Sequence, residues 1–180
     1  AGQKLLNLVE QMGGMELYFH ASGIGHQNRA LDEDIEMQTL ETNAVGFSRM
    51  VGTAFRYMAT HDGGHIAVIS SIAGTKGLGP APAYSATKAL QSTYIQALEQ
   101  LANARKLKIR FTDIRPGFVA TDLLNDGNHY PMLLDKTRVA RDIVSSLDKK
   151  RHVRVIDAKW RTITWLWRRI PRFVWRRLKL

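Results

Sequence analysis

His65-Ile66-Ala67-Val68-Ile69-Ser70-Ser71 opens the stretch that decides the fold. Its apolar run is too short for a helix and reads as a buried strand. A loop containing Gly and Pro follows over 74–82, then a long helical pattern over 83–105. A third apolar run, 107–114, reads as a strand again and is ended by Pro116-Gly117. Strand, helix and strand in this order make a βαβ unit, which needs a parallel pair.

The same alternation extends in both directions. Residues 4–11 read as the end of a helix, stopped by Gly13-Gly14. Residues 15–20 are another short apolar strand, followed by the loop Ser22-Gly23-Ile24-Gly25. Over 34–60, Met37, Leu40, Ala44, Phe47, Val51 and Phe55 recur at helical spacing. Downstream come a loop over 122–136, a helix over 138–147 and a last short strand over 153–156. The expectation is an α/β domain with a mostly parallel, doubly wound sheet. Such sheets bind ligands beyond the carboxyl ends of their strands. The loops after His20, Ile69, Ile114 and Ile156 are therefore the places to seek chemistry.

The chain has 180 residues, enough for one core, and an ordinary apolar fraction of 44%. It has no cysteine, which rules out disulfides and thiolate metal sites and agrees with a cytoplasmic setting. No run of about 18 apolar residues offers a membrane span. The net charge of +10 is local. Residues 149–180 hold twelve Lys/Arg against one Asp, while the first 148 residues hold fourteen basic and fifteen acidic groups. A nearly neutral domain, 1–156, thus carries a basic tail, 157–180.

Tyr84-Ser85-Ala86-Thr87-Lys88 starts the long helix and places Tyr and Lys four apart on one face. A phenol is a poor base at neutral pH, and a nearby ammonium lowers its pKa. A tuned Tyr can pass a proton to or from a substrate oxygen. Ser71 closes the preceding strand thirteen residues earlier, where a hydroxyl can polarise a carbonyl. Asn43, a mediocre helix former, sits inside the earlier helical pattern. It reads as a kink or a water-holding site, against the plainer reading of an exposed polar position. Tyr-x-x-x-Lys alone is common on exposed helices, and a strand-end Ser is often a simple cap.

Ile69-Ser70-Ser71-Ile72-Ala73-Gly74, Tyr84-Ser85-Ala86-Thr87-Lys88-Ala89 and Arg115-Pro116-Gly117-Phe118-Val119-Ala120-Thr121, in this order and spacing, resemble the short-chain dehydrogenase/reductase family. The resemblance implies a Rossmann-like fold and a tetrad. Tyr84 would be the general acid in carbonyl reduction or the base in alcohol oxidation. Lys88 would bind the nicotinamide ribose and depress the pKa of Tyr84. Ser71 would orient the substrate oxygen, and Asn43 would hold a water linking Lys88 to solvent. It further implies NADP or NAD as cofactor, contacted by Ser22, Gly23, Tyr84, Lys88, Pro116, Gly117, Val119 and Thr121. Val119 would meet the nicotinamide carboxamide through its backbone. The substrate would be a small carbonyl or alcohol, and the long helices over 34–60 and 83–105 would pair in a homo-oligomer.

Two departures stand out. The family's Asn-Asn-Ala-Gly segment is here His20-Ala21-Ser22-Gly23, and the glycine-rich phosphate loop of a first βαβ unit is absent, which suggests a chain lacking the first strands. His20 reads as a partly buried histidine with a backbone partner rather than a metal ligand, and no metal site is expected. The alternative function is an inactive fragment serving as a membrane- or protein-binding module.

The tail holds all four tryptophans, Trp160, Trp165, Trp167 and Trp175. As one basic amphipathic helix it would gather Ile163, Trp167, Ile170, Val174 and Leu178 on one side, with Pro171 kinking or splitting it. The expectation is peripheral contact at the inner face of a membrane through 159–180, with a lipid-like substrate covered by a lid of Tyr130, Pro131, Met132, Leu133 and Leu134. A helix packed on the domain or a second subunit is the next reading. Nucleic-acid binding is the third, and no nucleic-acid partner is expected.

Overall fold

The computed structural model describes residues 1–124 and 130–178. Four strands, β1 (Leu17–His20), β2 (Gly64–Ile69), β3 (Ile109–Arg115) and β4 (Val153–Val155), form one sheet in that order, and every pairing is parallel. The expected strands are all present, shifted by one to two residues at most of their ends. Gly63 makes the turn into β2: its φ is +92° and an added Cβ would strike the Lys108 carbonyl.

Helix α1 (Gly2–Gln11) precedes β1. The helix expected over 34–60 is α2 (Glu33–Leu40), a π-helical turn (Glu41–Gly46) and α3 (Phe47–Ala59). Asp32 caps α2 by accepting from the Ile35 N–H. A π-turn is rare and marks a strained or functional stretch. Here it contains Asn43, which is buried and not the exposed polar position of the plainer reading.

Helix α4 (Pro82–Ala104) starts with Pro82 in its first turn, where a missing N–H costs nothing. Helices α3 and α4 share one core with the sheet: Phe47, Val51, Phe55 and Met58 meet Ile95, Leu98, Ile66, Val68 and Phe111. On β3 the side chains alternate, so Ile114 points to the other face, where it packs with Val139 of α5 (Lys136–Asp148) and Ile156. Helices thus cover both faces, as expected of a doubly wound sheet. On the edge strand β1, Leu17 and Phe19 stay exposed.

The tail is split at Pro171, into α6 (Ala158–Trp167) and the single turn α7 (Arg172–Trp175). It corrects the expected single amphipathic face. Trp160 is buried, Ile163 and Trp167 are half-buried, and all turn toward the domain. After the break the helical phase resets, so Trp175 turns inward while Val174 and Leu178 are exposed. Trp167 donates to the Thr75 hydroxyl at 2.6 Å, Trp175 to the Gly77 carbonyl at 2.8 Å, and Lys76 to the Ile170 carbonyl at 2.8 Å. The tail is therefore packed on the loop that follows Ser71. No described helix is long and apolar enough to cross a membrane.

Candidate active site

The strand order brings the loops after β1, β2 and β3 side by side at one end of the sheet. Asn43 is fully buried beneath the first loop. Its amide exchanges two hydrogen bonds with the Ile24 backbone, accepting at 2.9 Å and donating at 2.6 Å, and also donates to the Thr87 hydroxyl at 3.3 Å. The amide thus clamps the loop onto the π-turn. Gly23 passes so close that an added Cβ would lie 3.3 Å from Asn43 Oδ1 and 3.5 Å from Lys88 Nζ. At Gly25 a Cβ would lie 2.6 Å from the Tyr84 ring. Ser22, in contrast, is exposed.

Lys88 is buried, with 5% exposure. Its ammonium donates to the Ile69 carbonyl at 3.0 Å and to Gln91 Oε1 at 3.1 Å, and lies 5.7 Å from the centre of the Tyr84 ring. Burial pulls its pKa down to about 8, with Asp113 opposing. Tyr84 is half-buried. Burial raises its pKa, a hydrogen bond with the Ser71 side chain works the other way, and Tyr130 adds to the rise. Desolvation dominates, so the pKa of Tyr84 moves up rather than down as its pairing with Lys88 led one to expect, and the phenol is held neutral. Ser71 also accepts from the Ala73 N–H at 3.1 Å, capping a short 3-10 turn over Ile72–Thr75.

Pro116 is buried, and its carbonyl accepts from the Ile72 N–H at 3.1 Å, tying the third loop to the Ser71 loop. Gly117 lies flat against Trp160, whose indole an added Cβ would overlap. Val119 forms a bridge with Leu134, but the ladder bonds come from its neighbours Phe118 and Ala120. Thr121 is exposed and bonds back to the Val119 carbonyl at 2.8 Å. Of the expected lid, Tyr130 packs on Phe118 and accepts from Gln27 at 3.3 Å, while Met132 and Leu133 are exposed. Residues 125–129 of that loop lie outside the described residues.

His20 is buried as expected, but its partner is a side chain. Nδ1 shares a hydrogen bond of 3.0 Å with the Tyr18 hydroxyl, and the ring meets Phe47 edge-on. Nε2 has no partner of hydrogen-bond geometry among the described residues. Burial lowers its pKa, Lys88 lowers it further, and the Ser22 backbone opposes. Gln91, Thr87 and Asp113 escaped the sequence reading. Gln91 is fully buried and donates to the Asn43 carbonyl at 2.9 Å. Its position one turn beyond Lys88, on the buried face of α4, was the available signal. Asp113 accepts from the Ser70 hydroxyl and pairs with Arg115 at 2.7 Å, which locks the ends of β2 and β3 together.

Three parallel strands ending over a Tyr–Lys pair and a Ser define the class, and comparison with known proteins agrees. The profile described as short chain dehydrogenase matches residues 3–130, and the chain belongs to the short-chain dehydrogenase family. An uncharacterized oxidoreductase of Myxococcus xanthus is 31% identical over 132 residues, covering 72% of this chain and 51% of that protein. The human 3-oxoacyl-[acyl-carrier-protein] reductase is 35% identical over 122 residues, covering 66% of this chain and 50% of that protein. The crystal structure of a Burkholderia cenocepacia short chain dehydrogenase in complex with NADP superposes with a TM-score of 0.83 at 16% identity, covering the whole chain and 75% of that one. The chain spans about half the length of these two curated relatives.

Proposed function

We propose that the full protein is an NAD(P)-dependent oxidoreductase that interconverts a carbonyl and a secondary alcohol. The observation that supports this most is the convergence of Tyr84, Lys88 and Ser71 at the strand ends. The donor set fits a nicotinamide nucleoside. An ammonium has three N–H groups. Among the described residues two of those on Lys88 have protein partners, and the third would serve the ribose. The bound nicotinamide would supply or accept the hydride.

The chain's own residues handle the proton. Tyr84, kept neutral by burial, gives its phenolic proton to the substrate oxygen in reduction and takes it back in oxidation. Ser71 holds the same oxygen and Tyr84 in line, its own lone pair fixed by the Ala73 N–H. Lys88 keeps a positive charge near the ring where phenolate forms. Pro116, Gly117 and the Val119 backbone would pack on the nicotinamide, with Thr121 at its edge. Ser22 and Gly23 would border the adenosine side. NADP has support from the Burkholderia cenocepacia complex and from a Thermococcus sibiricus alcohol dehydrogenase complexed with 5-hydroxy-NADP.

A second reading concerns the tail. Trp165, Leu166, Phe173 and Leu178 are exposed, and the acid-free segment around them carries eight Lys/Arg from Lys159 to Lys179. This outward face supports peripheral contact with an anionic membrane, an apolar substrate, and the binding-module alternative. Pairing of α3 and α4 between subunits is the further proposal for assembly.

The test is a screen of ketones and aldehydes with the full protein and NADPH or NADH, followed by nicotinamide absorbance. Turnover of any of them supports the enzyme. Absence of both turnover and nicotinamide binding overturns it and leaves the binding module.

A further inference from the structure

Tyr84, Lys88 and Gln91 follow one another at intervals of four and three along α4, so all three share its inner face. Ile95 and Leu98 continue that face as plain core. A side-chain amide there is out of place in an apolar seam, since burying it costs stability unless its donors and acceptor are matched. Both ends of Gln91 are matched. Its Oε1 accepts from Lys88 Nζ at 3.1 Å, and its Nε2 donates to the Asn43 main-chain carbonyl at 2.9 Å. That carbonyl lies in the π-turn, where the ordinary helical ladder is disturbed and a carbonyl becomes available to an outside donor.

We propose that Gln91 is a positioning residue of the active site: a side-chain bridge that fixes the Lys88 ammonium and ties it to the main chain of Asn43. The inference rests on the tetrad reading above. It explains why Lys88 stays aimed past Tyr84 although the helix turn alone would let it swing. It also gives the π-turn at Asn43 a partner on the opposite helix.

The groups facing Lys88 are few. From β1 comes His20, held neutral by burial. From α4 comes the neutral Tyr84 ring, with Tyr130 beyond it. From β3 comes Asp113, already paired with Arg115. From β2 comes only the Ile69 carbonyl. Among the described residues no carboxylate bonds the ammonium directly, and the Gln91 oxygen is one of two acceptors that favour its charged form.

The test is an NMR titration of the lysine ε-methylene signals in the full chain, with Lys88 assigned by its loss in Lys88→Arg. The wild-type midpoint is expected at about 8. Gln91→Met, similar in volume but without the acceptor, should lower it by about 1. Gln91→Glu should raise it by about 1 or more, and it decides alone if the Met variant does not fold. The pH profile of kcat should move in the same direction, with KM for the carbonyl substrate little changed. Midpoints unchanged in both variants overturn the bridge. Midpoints that move while the kcat profile stays fixed overturn the tetrad reading beneath it, not the bridge.

Discussion

In the sheet domain the polar groups of interest are inside and each has a named partner: Lys88 with Ile69 and Gln91, Asn43 with Ile24 and Thr87, Asp113 with Ser70 and Arg115. In the tail the arrangement is reversed. The cations Arg161, Arg168, Arg172 and Arg176 stay in solvent, and the rings of Trp160, Trp167 and Trp175 turn inward. A continuous series of ring contacts runs from Tyr130 through Phe118, Trp160 and Trp167 to Trp175, with neighbouring centroids 5.0 to 6.5 Å apart. Lys76 ends it, 5.6 Å from Trp175. The difference teaches that the tail is held by its aromatic side and offers its charge elsewhere. It braces the Gly117 loop at one end and the Thr75–Gly77 loop at the other.

The sharpest way to break this contrast is Trp160→Ala. If the tail were an appendage, the change would be silent. Buried at 3% exposure against Phe118 and Gly117, it should instead cost about 4 kcal/mol, read by urea unfolding. A smaller effect tests the domain side. Lys88 has a folded pKa near 8 against an ordinary 10.5. Between those values the unfolded chain holds a proton that the folded chain has released, so stability rises with pH across that window. Relative to Lys88→Met, the wild type should gain about 2 to 3 kcal/mol from pH 8 to pH 10. Above about 10 the unfolded state ionises Tyr18 and Tyr84 while the folded state does not, so the stability of both chains falls while the difference between them levels off. A flat difference would show Lys88 to be solvated.

Smaller still is the hydrogen-bonding part of the strap. Trp167→Phe and Trp175→Phe keep a ring and lose a donor, so each should cost about 1 kcal/mol. Amide exchange should quicken at 75–79 and stay unchanged in β2. The smallest stability effect is expected on the outward face. Trp165→Ser with Phe173→Ser should change unfolding by about 0.5 kcal/mol or less. The same pair should abolish co-sedimentation with phosphatidylserine vesicles, and retained binding would remove the membrane reading.

How much of this was legible follows from the same contrast. The strands showed as short apolar runs because parallel strands are buried on both faces. Tyr84, Lys88 and Ser71 could be singled out because they stand at fixed offsets from a strand and a helix start. Gln91 did not, since its partner Asn43 is 48 residues away and only folding joins them. The tail misled because Pro171 resets the helical phase, so a wheel drawn through it puts Val174 inside and Trp175 outside. The raised pKa of Tyr84 was hidden too, because desolvation depends on what covers the ring.

The most direct test of the central claim is single-turnover hydride transfer in the full protein with Tyr84→Phe, using whichever carbonyl substrate the screen returns. The account predicts a rate about a thousandfold lower, with nicotinamide cofactor affinity within about twofold of wild type, because the phenolic proton and not the ring is removed. A rate close to wild type would contradict it and take the proton away from Tyr84.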